Sequence, residues 1–483
     1  MLLRPETFSA LSLLPFRPTR QNGFFMETPL ITNQVTPQAA PLHPGLPMLG
    51  NTLAFLRNPL GILHTLHQRY DRVVHLRIGG RHQYLVLRPE DVKHVLQENH
   101  RNYGRSPAFN VLKIFLGNGL LTSDGDFWRR QRRLAQPAFH RQKLAALAQT
   151  MIAETADWID ELTQLDRSRP INASQTFMDV TMRIVCKTLF GSDVVGKLGG
   201  LSTALDTLQY QANQRMLSPV RLPMRWPTSA HRRFRRAGAL VDSFIYGVID
   251  QRKQQPGNER DDLLSMLQSA EDEDTGEVMS DKQLRDECVT LFAAGHETTA
   301  VSMAWTLHLL TQHPDMLTRL QTEAKTVLGD ARTPPPDAFR TLPYAMQVVQ
   351  ESLRLYPPAW IMSRLALADD PIGPYTIPAG DTALVSPYLL HRDPANWPDP
   401  DHFDPDRFAP GAADSSGRHS YAYLPFGGGP RLCIGNQFAL MEMQILLAML
   451  ARSFTVAPVA GQRIEPHPLI TLRPKRAIYV YLK

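Results

Sequence analysis

The stretch that decides the reading is Phe426-Gly-Gly-Gly-Pro-Arg-Leu-Cys433-Ile-Gly435. A long apolar helix is predicted to follow it, with Phe438, Met441, Ile445 and Ala448 on one face. A buried thiolate that ligates a metal must be deprotonated, so something near it must favour negative charge. Cys433 lies just before a helix, whose positive end supplies part of that. Backbone N–H groups can point at the sulfur only if the chain turns tightly. Gly427, Gly428, Gly429 and Gly435 permit the positive φ values and close approach that such a loop needs. Arg431 is placed to meet a carboxylate of a bound group. Phe426 can pack beneath the sulfur and keep water away. A glycine turn with a coincidental cysteine is the bland alternative. A dinucleotide loop is excluded, because G-x-G-x-x-G is not met.

Upstream, a helix is predicted to start after Ser280. Leu284, Cys288, Leu291, Phe292 and Gly295 fall on one of its faces. It carries Ala294-Gly295-His296-Glu297-Thr298-Thr299. A zinc protease motif would need a second histidine at position 300, which is alanine. Gly295 should weaken the helix in its middle. Thr298 and Thr299 can bond back to carbonyls and open the ladder, leaving room for a small ligand. A mere kink is the alternative.

The ten residues around Cys433 resemble the heme-binding loop of the cytochrome P450 family, Phe-x-x-Gly-x-Arg-x-Cys-x-Gly, with every fixed position filled. The hexapeptide resembles that family's oxygen-activation motif. Glu351-Ser-Leu-Arg354 and Pro405-Asp-Arg407-Phe408 resemble two further motifs, in family order. The resemblance runs from about Pro44 to the C-terminus. It implies a soluble, bacterial-type member: mainly α with minor β, a helical bundle around heme plus small β-sheets. It also implies heme b (iron protoporphyrin IX) with Cys433 as the iron ligand and O2 as co-substrate. Glu297 and Thr298 would be catalytic, the threonine touching the oxygen being activated and the acid helping to deliver protons. His296 is given no catalytic role. Trp128, Arg132, Arg364 and Arg431 would hold the heme propionates, and Glu351, Arg354 and Arg407 would form a buried structural triad.

The resemblance further implies a monooxygenase that places one oxygen atom from O2 on a hydrophobic substrate: a fatty acid, terpenoid or steroid. Candidate walls are residues 108–120, 215–227, 292–294, 359–362 and 469–470. A peroxide-driven peroxygenase or isomerase and a non-catalytic heme sensor are the alternatives. The intact Glu297-Thr298 pair speaks against the first, and the absence of any signalling module speaks against the second. No flavin or iron–sulfur domain is visible, so electrons are expected from a separate ferredoxin or flavodoxin with its NAD(P)H-dependent reductase.

Composition sets the outer bounds. The chain has 483 residues, 43% hydrophobic and 20% charged, which is ordinary for a soluble globular protein. Its net charge is +6, with arginines in short blocks. No nucleic acid is expected as a partner. Arg129, Arg130 and Arg133 are expected to attract an acidic redox partner. The second block, Arg232 to Arg236, reads as a solvated helix face. Cys186 and Cys288 sit in apolar stretches and read as plain buried residues, and a reducing cytoplasm fits three scattered cysteines. No transmembrane anchor is expected, since a span needs about 20 apolar residues. The remaining expectations are a flexible N-terminal extension over 1–40, a single heme domain over 41–483, and a monomer.

Overall fold

Ser280 caps the longest helix of the molecule. Its hydroxyl accepts the Gln283 N–H while the Gln283 side chain accepts the Ser280 N–H, a reciprocal capping box. From there the helix runs unbroken over Asp281–Gln312, about 48 Å at 1.5 Å per residue. Its residues are buried on nearly every side, as expected of a helix through the middle of a core. In this computed structural model the described residues are 38–191, 200–218, 222–254, 262–412 and 417–483. They belong to one compact unit, Pro37–Lys483. The expected N-terminal extension falls outside the described residues, except that Gln38–Ala39 already form a strand. Within the unit, helices dominate and the sheets are small.

In chain order, strands β1 (Val73–Ile78) and β2 (Arg81–Val86) form a hairpin around Gly79 and Gly80. Strand β3 is Tyr103–Arg105. Helices α1 (Phe109–Leu116) and α2 (Gly125–Ala135) follow. Next come α3 (Arg141–Thr163), α4 (Ala173–Phe190), α5 (Leu201–Leu217) and α6 (Ser229–Lys253). The central helix is α7, followed by α8 (Pro343–Leu355). Strands β4 (Met362–Ala366) and β5 (Thr382–Val385) complete a five-stranded sheet in the order β1-β2-β5-β4-β3. Helix α9 (Asn436–Ser453) follows the cysteine loop. No described helix is long and apolar enough to cross a membrane.

Two local expectations change. Gly295 does not loosen α7. A Cβ there would come within 3.1 Å of Val185 on α4, so the glycine lets the two helices approach closely. Thr298 does bond back to the Ala294 carbonyl, at 2.6 Å, yet the helix stays α throughout. His296 is buried and hydrogen-bonds the Met178 carbonyl through Nε2, which ties α7 to α4.

Candidate active site

The loop before α9 is shaped by its glycines. Gly427 and Gly429 have φ of +76° and +66°, and a Cβ on Gly429 would sit 1.9 Å from the Leu96 carbonyl oxygen. Gly428 is extended (φ −155°) and is required for space, because a Cβ would meet the Tyr421 ring at 2.8 Å. Gly435 does not follow the expectation. Its φ is −92° and its nearest neighbour, the Phe139 ring, leaves room. The loop closes where the Cys433 N–H donates to the Phe426 carbonyl at 3.0 Å.

Behind the loop lies a fully bonded polar core. Arg354 is buried, and its five side-chain N–H groups all find acceptors. Two meet the Glu351 carboxylate at 2.6 and 2.7 Å. The others reach the carbonyls of His391, Pro400 and His402. Arg407 approaches Glu351 at 3.5 Å, so Glu351, Arg354 and Arg407 do form a triad. His391 accepts the Leu424 N–H through Nε2 and bonds the Arg354 carbonyl through Nδ1. Burial pulls this imidazole down to about 3, so it is neutral. The triad thus positions Leu424, two residues before Phe426.

In front of the loop opens a cavity of about 1510 Å3. Glu297, Thr298, Trp128, Arg132, Arg364, Phe426, Arg431 and Cys433 all line it, so the structure gathers every expected site residue around one space. That volume exceeds the 300–1,000 Å3 usual for a single small ligand, which suits a flat macrocycle with a substrate beside it. Cys433 lines the cavity and is exposed to it. Burial raises its thiol, while the Gly435 N–H and the Arg132 charge work the other way. A coordinated metal ion would keep it deprotonated.

The arginines provide a fit test for heme. Arg364 on β4 and Arg105 on β3 stand directly opposite each other across the strand pair. Like charges so placed repel. Burial, reinforced by the neighbouring arginine charges, pulls Arg364 down to about 10 and Arg105 well below its usual range. Among the described residues the Nε of Arg105 is sealed without a partner, and Arg364 bonds just the carbonyl of its neighbour Ser363. Arg431 joins them, stacked 4.2 Å over the Trp128 ring and ion-paired with Asp124. Such a cluster calls for anions. The two propionates of heme b would meet that demand, and Cys433 would be placed to ligate its iron. Arg105 escaped the sequence reading, since a lone arginine in Tyr103-Gly-Arg105 carries no signal until strand register sets it against Arg364. Arg132 spends its donors differently from the expectation. It bonds the Leu432 carbonyl at 2.9 Å and Gln136 at 3.0 Å, and so braces the cysteine loop.

On the opposite wall, Thr298 reaches the cavity from the middle of α7. Glu297 is buried in an ion pair with Arg473 at 2.5 Å and accepts a hydrogen bond from the Thr471 hydroxyl. The expected substrate walls are largely borne by the cavity: Ala108, Leu116, Ala294, Trp360, Met362 and Leu469 line it. Phe292 instead points into the helical core. Residues 219–221 of the expected 215–227 wall lie outside the described residues.

The arginines of α2 make ion pairs within the chain. Arg129 pairs with Asp126, Arg130 with Asp272 and Glu277, and Arg133 with Asp272 and Asp274. The acidic loop at 271–277 folds back on Arg130 and Arg133, while Arg129 stays largely exposed. Cys186 and Cys288 are buried, with thiols raised by burial, as plain core residues.

Comparison with known proteins agrees with this geometry. The family model described as Cytochrome P450 matches residues 40–480. The chain is 39% identical to "Cyclooctatin synthase" of Streptomyces melanosporofaciens, over 89% of this chain and 92% of that protein. It is 35% identical to "Cyclooctat-9-en-7-ol 5-monooxygenase" of the same organism, over 86% and 89%. It is 33% identical to "Pentalenene oxygenase" of Streptomyces avermitilis, over 89% and 94%.

Proposed function

The chain belongs to the cytochrome P450 family and is a heme-dependent monooxygenase, and from that premise we propose that its substrate is a cyclic terpenoid. Bound heme supplies activation of O2 and transfer of one oxygen atom. The residues of this chain do the rest. Cys433 would hold the iron through its thiolate. Arg105, Arg364, Arg431 and Trp128 would hold the propionates, and Arg132 fixes the loop through Leu432. Thr298 would present its hydroxyl to the oxygen side of the site, and Glu297, held by Thr471 and Arg473, would move protons toward it.

The observation that carries the substrate class is the apolar wall of the cavity that Cys433 also lines, formed by residues such as Leu112, Phe115 and Leu116 of α1 and Leu469. The names of two relatives support the same choice, since one acts on pentalenene and the other on a cyclic olefinic alcohol.

Electrons come from a separate ferredoxin or flavodoxin with its NAD(P)H-dependent reductase. A cytoplasmic monomer completes the reading, and three free cysteines suit it. The test is a ferric spin-state titration of heme-loaded protein with cyclic terpenes, sterols and fatty acids. Cyclic terpenes are expected to drive the low-to-high-spin shift. A shift by fatty acids or sterols without any by terpenes would overturn the proposal.

A further inference from the structure

Helix α5 turns Gln209, Asn213 and Met216 toward the cavity, at i, i+4 and i+7 on one face. Two of the three are amides, on a wall otherwise built from aliphatic and aromatic side chains. Gln209 is already engaged, since its Oε1 accepts from Arg473 at 3.1 Å. Arg473 in turn pairs with Glu297, beside Thr298. This chain of contacts fixes α5 relative to the oxygen-activating residues.

Asn213 has no such engagement. It is 5% exposed and lines the cavity. Among the described residues its side-chain amide makes no hydrogen bond. A primary amide carries two donors and an acceptor oxygen with two lone pairs. The amide faces the cavity, so a ligand that displaces water there either supplies its partner or leaves it unpaired against apolar neighbours, which is costly. A group that donates and accepts at once matches a hydroxyl. The opposing residues Leu112, Phe115 and Leu116 on α1 supply no competing polar group.

We infer that Asn213 is a specificity-determining residue that hydrogen-bonds an oxygen already carried by the substrate. The molecule taken by this enzyme is then an alcohol of a cyclic terpenoid, not the bare hydrocarbon. The inference rests on the terpenoid reading above and deepens it. It also places the reaction second in order, because a hydroxylation or a water-terminated cyclisation must first install that oxygen. Sites built to bond a hydroxyl reject the analogue without one far more strongly than apolar pockets reject an added one.

The experiment uses heme-loaded protein and matched pairs of cyclic terpene hydrocarbons and their mono-alcohols, read by the ferric spin-state shift. Wild type is expected to bind the alcohol of a responsive pair at least about tenfold more tightly than the hydrocarbon. Asn213→Leu, close in shape, should bring that ratio to about one by weakening the alcohol alone, and Asn213→Ser should restore part of it. The wild-type ratio needs no variant and stands even if one misfolds. A ratio near one in wild type, or an undiminished preference in heme-loaded Asn213→Leu, overturns the role of Asn213 and leaves the terpenoid class standing. No shift with any member of any pair overturns the terpenoid reading and this inference with it.

Discussion

Arg354, behind the cysteine loop, spends all five of its side-chain N–H groups on protein acceptors, whereas Asn213, across the cavity, spends none. The contrast holds more widely. Glu351 also accepts the Asp404 N–H at 2.9 Å, and Tyr423 donates to the Gln350 carbonyl at 2.8 Å. On the far wall, aliphatic side chains face the cavity and a few polar atoms wait there. One side holds a backbone in a single geometry, and a fully satisfied buried network does that well. The other side presents a shape, which apolar residues can vary without disturbing the fold. A cofactor that never changes and a substrate that differs between relatives ask for that division.

The largest break in the comparison comes from the triad. Glu351→Ala leaves the Arg354 guanidinium buried without its counter-charge and frees the Asp404 N–H. Removing one partner of a buried ion pair costs about 3–5 kcal/mol, a large fraction of the 5–15 kcal/mol that holds a typical protein folded. Little heme-loaded protein is expected, by heme-to-protein absorbance ratio and by the carbon monoxide difference spectrum. A full yield with an unaltered spectrum would show that the network is dispensable and the contrast empty.

What the sequence made legible follows the same divide. The Cys433 loop is read from Gly427 and Gly429, because backbone that must turn through positive φ leaves a residue-type mark. Glu351 and Arg354 are three apart on one helix, so their pairing is visible locally. Arg105 was invisible, since its meaning depends on strand register with Arg364. The pairing of Arg130 and Arg133 with Asp272 was equally hidden. The basic block is visible in the sequence, but nothing local brings residues 130 and 272 together. Asn213 was hidden for a third reason. A single amide on a helix of mixed polarity reads as surface until the fold turns that face inward.

A second prediction sharpens the contrast through pH. Glu442 on α9 is buried near Thr299, and burial pushes its carboxyl up to about 8. Unfolded, it would ionise near 4.5. The folded state therefore holds a proton that the unfolded state releases above that value. The contribution to stability is whole below about pH 4.5 and is lost as pH rises through 8. The loss approaches roughly 5 kcal/mol by pH 8.5, at about 1.4 kcal/mol per unit. Glu442→Gln keeps the shape of the protonated acid and removes the titration. It is expected to melt above wild type at pH 8.5 and close to it at pH 5. Glu287 on α7, raised to about 8 by burial, titrates in both proteins, so the difference between them isolates Glu442. Parallel melting curves at both pH values would refute the assignment.

The smallest effect on stability should come with the most visible change in chemistry. Leu469 is half-buried, lines the cavity and stands outside the packed core clusters. Its backbone does the structural work, with the carbonyl accepting the Trp360 indole N–H at 2.8 Å and the N–H donating to the Thr471 carbonyl at 3.0 Å. Leu469→Ala keeps both bonds and opens no sealed void, because the space it vacates joins the cavity. A core Leu→Ala costs about 2–5 kcal/mol, but here a cost below about 1 kcal/mol is expected, and the melting temperature should hardly move. The substrate, held by Asn213 at one end, gains room to tilt at the other. A methyl-scale change in an apolar pocket is worth about 1–3 kcal/mol between competing poses, enough to redistribute products severalfold. Chromatography of the products made by wild type and Leu469→Ala from one responsive terpene reads this directly. A shifted product ratio at an unchanged melting temperature is the signature of a wall that selects shape. A drop in melting temperature like that of the triad variant would mean that both sides of the cavity are built alike.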